Sequence, residues 1–321
     1  MSKTRLILFG MMAAVAMFLV MRMPTKKEAE VIPVQDVYVD DDKGRSRGPD
    51  EPEEENGVQL EITRDDSYLP PEVNRMAELF NPRCPRLPIV ETVTYSSRVP
   101  WLDGRLAFLG DYASKYKTSK HFISASLHGM GNYLSDKVAN GNCFNVLRED
   151  KQLEFHLVLD ISRTKLWVYY YDVEENARCL LKSYPVCCGK LTSRGSLTPT
   201  GVYALSQEIA VYKEGMVRTV KNTPLEMVTV FGTRWIPFGE EIANCSASGR
   251  GVGIHGTPWV RSEEGLVENR ECIGNYESEG CVRLLTEDIE ELFALIVSRP
   301  SYIHCVQDFA DAHLPGKLIE L

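Results

Sequence analysis

From Phe155 onward the chain breaks into short apolar or alternating runs, FHLVLD, KLWVYYYD, TGVYAL, EMVTVFG, GVGIHG and SYIHCV, punctuated by Gly, Pro, Asn and Ser. Segments this short, rich in β-branched and aromatic residues and bounded by turn formers, read as strands rather than helices. The C-terminal half is therefore expected to be mainly β. One helix interrupts it. Thr286 offers a cap, Glu287 and Asp288 suit the positive end of a helix dipole, and Ile289, Leu292, Phe293 and Ile296 fall on one face.

With 321 residues, 44% of them hydrophobic, the chain is long enough for more than one domain. The net charge of −9 is unevenly placed. Asp36 to Glu55 holds nine acids against three bases, leaving the remainder nearly balanced. No basic run or basic-aromatic interleaving is present, which argues against nucleic acid as a partner.

The N-terminus places Lys3 and Arg5 before sixteen uncharged, almost wholly apolar residues, Leu6 to Met21. As a helix this run would span roughly 24 Å, slightly short of a bilayer core, with Arg22 and Lys26 able to snorkel to the interface. Residues 1–27 are read as an anchor in the inner membrane, with a cleaved signal peptide as the competing reading. Residues 28–90, acidic and then Pro-rich, are expected to form a flexible tether. Residues 91–150 are expected to be a small helical module, with Leu106, Leu109, Ala113 and Tyr116 on one helix face. Its DYASKYKTSKHFI and GNCFNV stretches resemble glycan-binding LysM modules, the favoured alternative being a compact spacer or a docking element for the next domain. Residues 151–321 make the C-terminal domain.

Chemistry is concentrated in SEGCVRL, Ser278 to Leu284. Gly280 allows close approach of a ligand to the backbone, and amides at such a turn can converge on an oxyanion. If the chain is extended here, Cys281 and Arg283 share one face and Val282 and Leu284 point to the core. The arginine would favour a thiolate or hold a carboxylate. From composition alone, an inert cysteine beside a surface ion pair is the reading to prefer. Of six histidines, His255 in GVGIHGTPW is the best base, because glycines flank it at a probable strand end. His156 sits in an apolar alternation and reads as structural. His304 and Cys305 are adjacent on a strand and face opposite ways. A zinc set of Cys245, His255, Cys272 and Cys281 has spacings of ten, seventeen and nine, matching no familiar ligand pattern.

Three motifs in order, TPTGVYAL, GIHGT and IGNYESEGCVRL, followed by the acidic helix, resemble the bacterial L,D-transpeptidase catalytic domain of the YkuD type. LVLDISRTKLWVYYYD resembles that domain's first hairpin. The resemblance implies a mainly β, sandwich- or barrel-like catalytic domain carrying one or two helices, preceded here by the small helical module and the membrane segment. It implies Cys281 as nucleophile and His255 as general base, the second ring nitrogen of the histidine being held by a backbone carbonyl. Arg283, Ser278, Gly280 and Gly256 fall at substrate-binding positions, and no metal or organic cofactor is required. The implied substrates are peptidoglycan stem peptides and the implied product a 3-3 cross-link. A carboxypeptidase or hydrolase using the same pair, or an inactive wall-binding anchor, are the alternatives. The implied place is the bacterial envelope, with the catalytic domain in the periplasm. Two departures stand out: Glu279 replaces a frequent histidine, and VRSEEGLVENREC lengthens the loop after His255, where it could act as a lid.

Overall fold

In a computed structural model of the chain, the described residues are 66–129, 137–220, 222–263 and 265–320. The expected anchor and the acidic part of the tether lie outside them. Among the described residues no helix is long and apolar enough to cross a membrane.

The order begins with α1 (Met76–Phe80), β1 (Val90–Thr94), α2 (Leu109–Lys115), α3 (Lys120–His128) and β2 (Cys143–Leu147). Next come β3 (Leu153–Asp160), β4 (Lys165–Asp172), β5 (Ala177–Pro185), β6 (Cys188–Gly189), β7 (Leu191–Thr192), β8 (Gly195–Ser196), β9 (Gly201–Leu205) and β10 (Ala210–Val211). There follow β11 (Val217–Val220), β12 (Thr223–Glu226), α4 (Val228–Phe231), β13 (Arg234–Ala243), β14 (Gly253–Gly256), β15 (Trp259–Ser262) and β16 (Gly265–Glu268). The chain finishes with β17 (Tyr276–Ser278), β18 (Val282–Leu284), α5 (Thr286–Ile296), β19 (Ser301–Val306) and β20 (Lys317–Leu318).

One large sheet organises the C-terminal half, in the order β18-β14-β13-β9-β19-β3-β4-β5-β20, with β10 also paired to β13. The alternation read from the sequence explains how it is covered on both faces. On β4, Leu166, Val168 and Tyr170 enter the main core, while Trp167 and Tyr169 enter a second cluster with Leu69, Val73, Phe309 and Leu314 packed against it. The two clusters lie on opposite faces because successive side chains do. Helix α5 lies on the main core, burying Ile289, Leu292, Phe293 and Ile296 as its spacing predicts. Its first helical residue is Thr286, and Leu285 in the cap position provides no side-chain cap. A carboxylate from another element replaces it: Glu268 Oε1 accepts from the Thr286 amide at 2.6 Å.

Three expectations change. EMVTVFG is not a strand throughout: β12 ends at Glu226 and Val228–Phe231 is a helical turn. The Thr229 hydroxyl donates to the Glu226 carbonyl at 2.7 Å, and Gly232, at φ +58°, closes the turn. Local β preference yields there to the need to reverse direction before β13. In the module, the first helix starts only at Leu109, because Asp111 accepts the Phe108 amide at 2.8 Å and pairs with Arg105. Leu106 precedes it and is 48% exposed. Finally, the Pro-rich end of the expected tether is folded. Met76, Leu79, Phe80 and Leu87 are buried in the main core.

The module itself runs β1-α2-α3-β2, with β1 and β2 antiparallel from Val90↔Leu147 to Thr94↔Cys143. It has a small core of Tyr95, Leu109, Tyr112, Ile123, Phe144 and Val146. It also shares the main core, through Phe122 and Ala125 of α3. Phe80 and Phe122 pack with ring centroids 4.8 Å apart. Ser119 ties the start of α3 to the end of α5, its amide donating to Ser298 Oγ at 3.1 Å.

Candidate active site

Two neighbouring strand ends carry the site. β14 pairs in parallel with β18 in the register Ile254↔Val282, His255↔Arg283 and Gly256↔Leu284. Ile254, Val282 and Leu284 are fully buried, so their alternation partners His255 and Arg283 point to the other face, as the sequence pattern requires. Continuing the register back by one residue sets Cys281 beside Gly253, two positions from His255 along the adjacent strand. Ideal strand spacings put the two Cα atoms about 8 Å apart on a common face.

Gly280 makes the turn that delivers Cys281. Its φ is +126°, and a Cβ there would lie 3.1 Å from the Leu197 carbonyl oxygen, so the position needs glycine on both counts. Ser278, expected at the substrate, is fully buried and works on the turn itself. Its hydroxyl donates to the Cys281 carbonyl at 2.5 Å and accepts from the Gly280 amide at 3.2 Å. Since the Gly280 N–H is taken, the amide left for an oxyanion is that of Cys281, which has no hydrogen-bond partner among the described residues. Gly256 is also buried, and a Cβ on it would press against Gly232 at 3.2 Å. Its part in the site is its carbonyl.

That carbonyl accepts from His255 Nδ1 at 2.7 Å. A carbonyl only accepts, so the proton sits on Nδ1 and the lone pair is left on Nε2. The imidazole is 3% exposed, with the Phe231 ring edge-on at 5.4 Å and Trp235 at 5.8 Å. Burial, together with the Arg283 charge, lowers its pKa to about 3, against the opposing pull of the Gly256 and Phe231 carbonyls. The Cys281 side chain is partly exposed. Loss of water around the sulfur raises its pKa to about 11, although the Gly253 amide and Arg283 both favour the thiolate. The two groups rest as thiol and neutral imidazole. Proton transfer between them during attack is the chemistry that pairing permits.

Arg283 lies between two strands, paired to His255 on one side and bridged to Cys187 on the other. Its Nε is buried with no hydrogen-bond partner among the described residues. An uncommitted donor beside a thiol suits an incoming carboxylate. Glu279 points outward into an exposed ion pair with Lys190.

The other candidates fall elsewhere. His156 Nδ1 and His304 Nε2 are hydrogen-bonded to each other at 3.0 Å, with Glu154 on His156 Nε2 at 3.1 Å. Cys305 is buried in the main core. Thr198 of the TPTG motif is buried and accepts the Gly189 amide at 2.8 Å, a brace for the fold. No three His, Cys, Asp or Glu side chains converge as metal ligands among the described residues.

The lengthened loop is a hairpin, β15 with β16, in the register Trp259↔Glu268 to Ser262↔Gly265. Its base is held by a residue the sequence reading passed over. Glu268 Oε1 accepts from Thr257 Oγ1 and from the Thr286 amide, each at 2.6 Å, and Glu268 Oε2 accepts from Arg270 at 2.8 Å. Phe231 was equally hidden. Only tertiary contact marks either residue.

Comparison with known proteins agrees with the motifs. Residues 154–303 match the model of the YkuD family, the L,D-transpeptidase catalytic domain. Among solved structures, the chain is similar to Bd1075 of Bdellovibrio bacteriovorus, at 19% identity and TM-score 0.33, over 48% of this chain and 48% of that one. It is also similar to the helical cell shape determining protein Pgp2 of Campylobacter jejuni, at 13% identity and TM-score 0.32, over 52% of this chain and 51% of that one. The chain thus spans about half the length of each. No curated protein matches it significantly.

Proposed function

We propose that the protein is an L,D-transpeptidase that joins peptidoglycan stem peptides in 3-3 cross-links through a thioester on Cys281. The observation that carries this reading is the pairing of the strand that bears His255 with the strand that continues from Cys281, on which the Arg283 Nε has no hydrogen-bond partner among the described residues. His255 Nε2 takes the thiol proton as Cys281 Sγ attacks the carbonyl of the third residue of a donor stem. The tetrahedral oxyanion meets the Cys281 amide. Collapse breaks the peptide bond, and the departing D-alanine amine takes the proton back from His255. The side-chain amine of a second stem then attacks the thioester, giving its proton to His255 and releasing the thiol. Arg283 would orient a stem carboxylate, while Ser278, Gly280 and Gly256 act through the backbone that presents the two reacting groups.

The reading extends to an envelope location. The N-terminal apolar segment would hold the chain in the inner membrane, and the acidic segment after it would let the catalytic domain range over the wall from the periplasmic side.

Incubation of the full chain with purified tetrapeptide stems tests the reaction. The expected products are dimers cross-linked between third residues, with a stem adduct mapping to Cys281 by mass spectrometry. Shortened monomers alone would replace the proposal with a hydrolase. An adduct on Cys272 or Cys305 would overturn the assignment of the nucleophile, and full activity in C281A would end it.

A further inference from the structure

Cys187 and Cys272 are two buried thiols that acyl transfer leaves unused. Cys187 is bridged to Arg283 by two main-chain hydrogen bonds of 2.9 Å, so its side chain falls on the same face as those of Arg283 and His255. It is nevertheless sealed from solvent, because the segment after the β15–β16 hairpin lies across it. The Gly274 amide donates to the Val186 carbonyl at 3.0 Å, and the Cys188 amide to the Asn275 carbonyl at 3.1 Å. Tyr276 then pairs with Cys188. This course brings Cys272 to Cys187, close enough for each thiol to perturb the other's ionisation. Cys272 Sγ also donates to the Asn269 carbonyl at 3.3 Å, and both residues are 0% exposed.

We infer that Cys187 and Cys272 are a disulfide-forming pair, and that their bond fastens the segment following the hairpin to the strand edge beside Arg283. The two thiols interact with each other, on segments held together by main-chain bonds, and their other hydrogen bonds run to backbone groups, among them the carbonyls of Cys188 and Asn269. The chemistry is also favourable. Hydrogen bonding from Cys272 and the nearby Arg283 charge hold the Cys187 thiol below its ordinary pKa, so this sulfur is the one that attacks. The oxidant is a small disulfide such as oxidised glutathione. Cys187 thiolate displaces one thiol from it, forming a mixed disulfide, and Cys272 thiolate displaces the second. Two protein thiols lose two electrons and two protons, and the reagent becomes two thiols. The ring closed between the cysteines contains 84 intervening residues, long enough for a large entropic effect on the unfolded chain. Because both sulfurs are sealed, exchange on the folded protein proceeds through local openings of residues 270–275, over minutes to hours.

The full chain is incubated with oxidised glutathione, its remaining thiols are blocked with iodoacetamide under denaturing conditions, and the digest is mapped by mass spectrometry without reduction. The expected result is a linked pair of peptides containing Cys187 and Cys272, two hydrogens lighter than the separate thiols and released by dithiothreitol. Oxidation is also expected to raise the Tm by about 5 °C or more. C187A and C272A should each abolish the link and the shift, whereas C84A should keep both. Recovery of Cys187 and Cys272 as separately alkylated residues, or a glutathione adduct stalled on either one, would overturn the inference. The wild-type map decides this alone, so a variant that fails to fold does not blunt the test. The result is also independent of acyl transfer: failure here leaves the assignment of Cys281 standing.

Discussion

A thiol whose pKa is raised to about 11 beside an imidazole lowered to about 3 is not a preformed ion pair. Below its pKa, Cys281 would need a base such as His255 to lose its proton during attack on a peptide, whereas simple ionisation to solvent needs none, and two reagents separate the two routes. Iodoacetamide needs only thiolate. Its rate at Cys281 should climb about tenfold per pH unit from pH 7 toward the thiol's pKa, without the plateau near neutrality that a thiolate–imidazolium pair would give. A stem peptide needs base-assisted attack, so H255A should slow acylation by about 10²- to 10⁴-fold while leaving the alkylation profile nearly unchanged. Stopped-flow or mass-resolved rates over pH 6–10 check both, and a plateau near pH 7 would contradict the resting state described. Period-two alternation put Cys281 and Arg283 on one face in the sequence, opposite Val282 and Leu284, which are indeed buried, whereas His255 was marked only by its flanking glycines. Ser278 was misplaced for the converse reason. A small polar residue beside a nucleophile reads as a ligand contact until its hydroxyl is found closing the turn through the Cys281 carbonyl.

At the level of elements, the hairpin after His255 is held from its base rather than its tip. Glu268 links three pieces of chain that meet only in the fold: Thr257 after β14, Arg270 beyond β16, and the first amide of α5. E268A leaves the buried Thr257 side chain and the helix terminus without their acceptor. It should lower unfolding free energy by about 2–3 kcal/mol with an unchanged m-value in urea. Glu263, exposed near the hairpin tip, should tolerate alanine within about 0.5 kcal/mol. Equal costs at the two positions would show that the base is not the anchor. Most of the strands could be read directly, since runs such as FHLVLD and SYIHCV alternate against a covered sheet. The turn at Val228–Phe231 could not, because β-branched residues there serve a change of direction set by distant strands. Nor could the start of α2, where an ion pair and a cap outweigh the apolar spacing that included Leu106.

On the scale of the whole molecule, the division into a helical module and a catalytic domain, visible as a change of periodicity, is not a division of the core. Phe80, Leu87, Phe122, Ala125 and Leu147 occupy the same cluster as Phe155, Leu292 and Ile303. A chain starting at residue 151 would expose that surface, and should be insoluble or lack fixed tertiary structure by near-UV circular dichroism. One starting at residue 66 should fold cooperatively. Stable, cooperative folding from residue 151 would refute the shared core. The proline-rich approach hid this union, since a few large apolar residues among prolines look too sparse to order a segment until a ready-made surface receives them. The position of β19 carries a last consequence. Residues 301–306 fill the middle of the large sheet, hydrogen-bonded to β3 on one side and β9 on the other. During synthesis the cysteine and its base leave the ribosome before that strand does, so the sheet holding them stays split. The two strand ends that carry Cys281 and His255 therefore gain their completed sheet only after residues 301–306 have joined it.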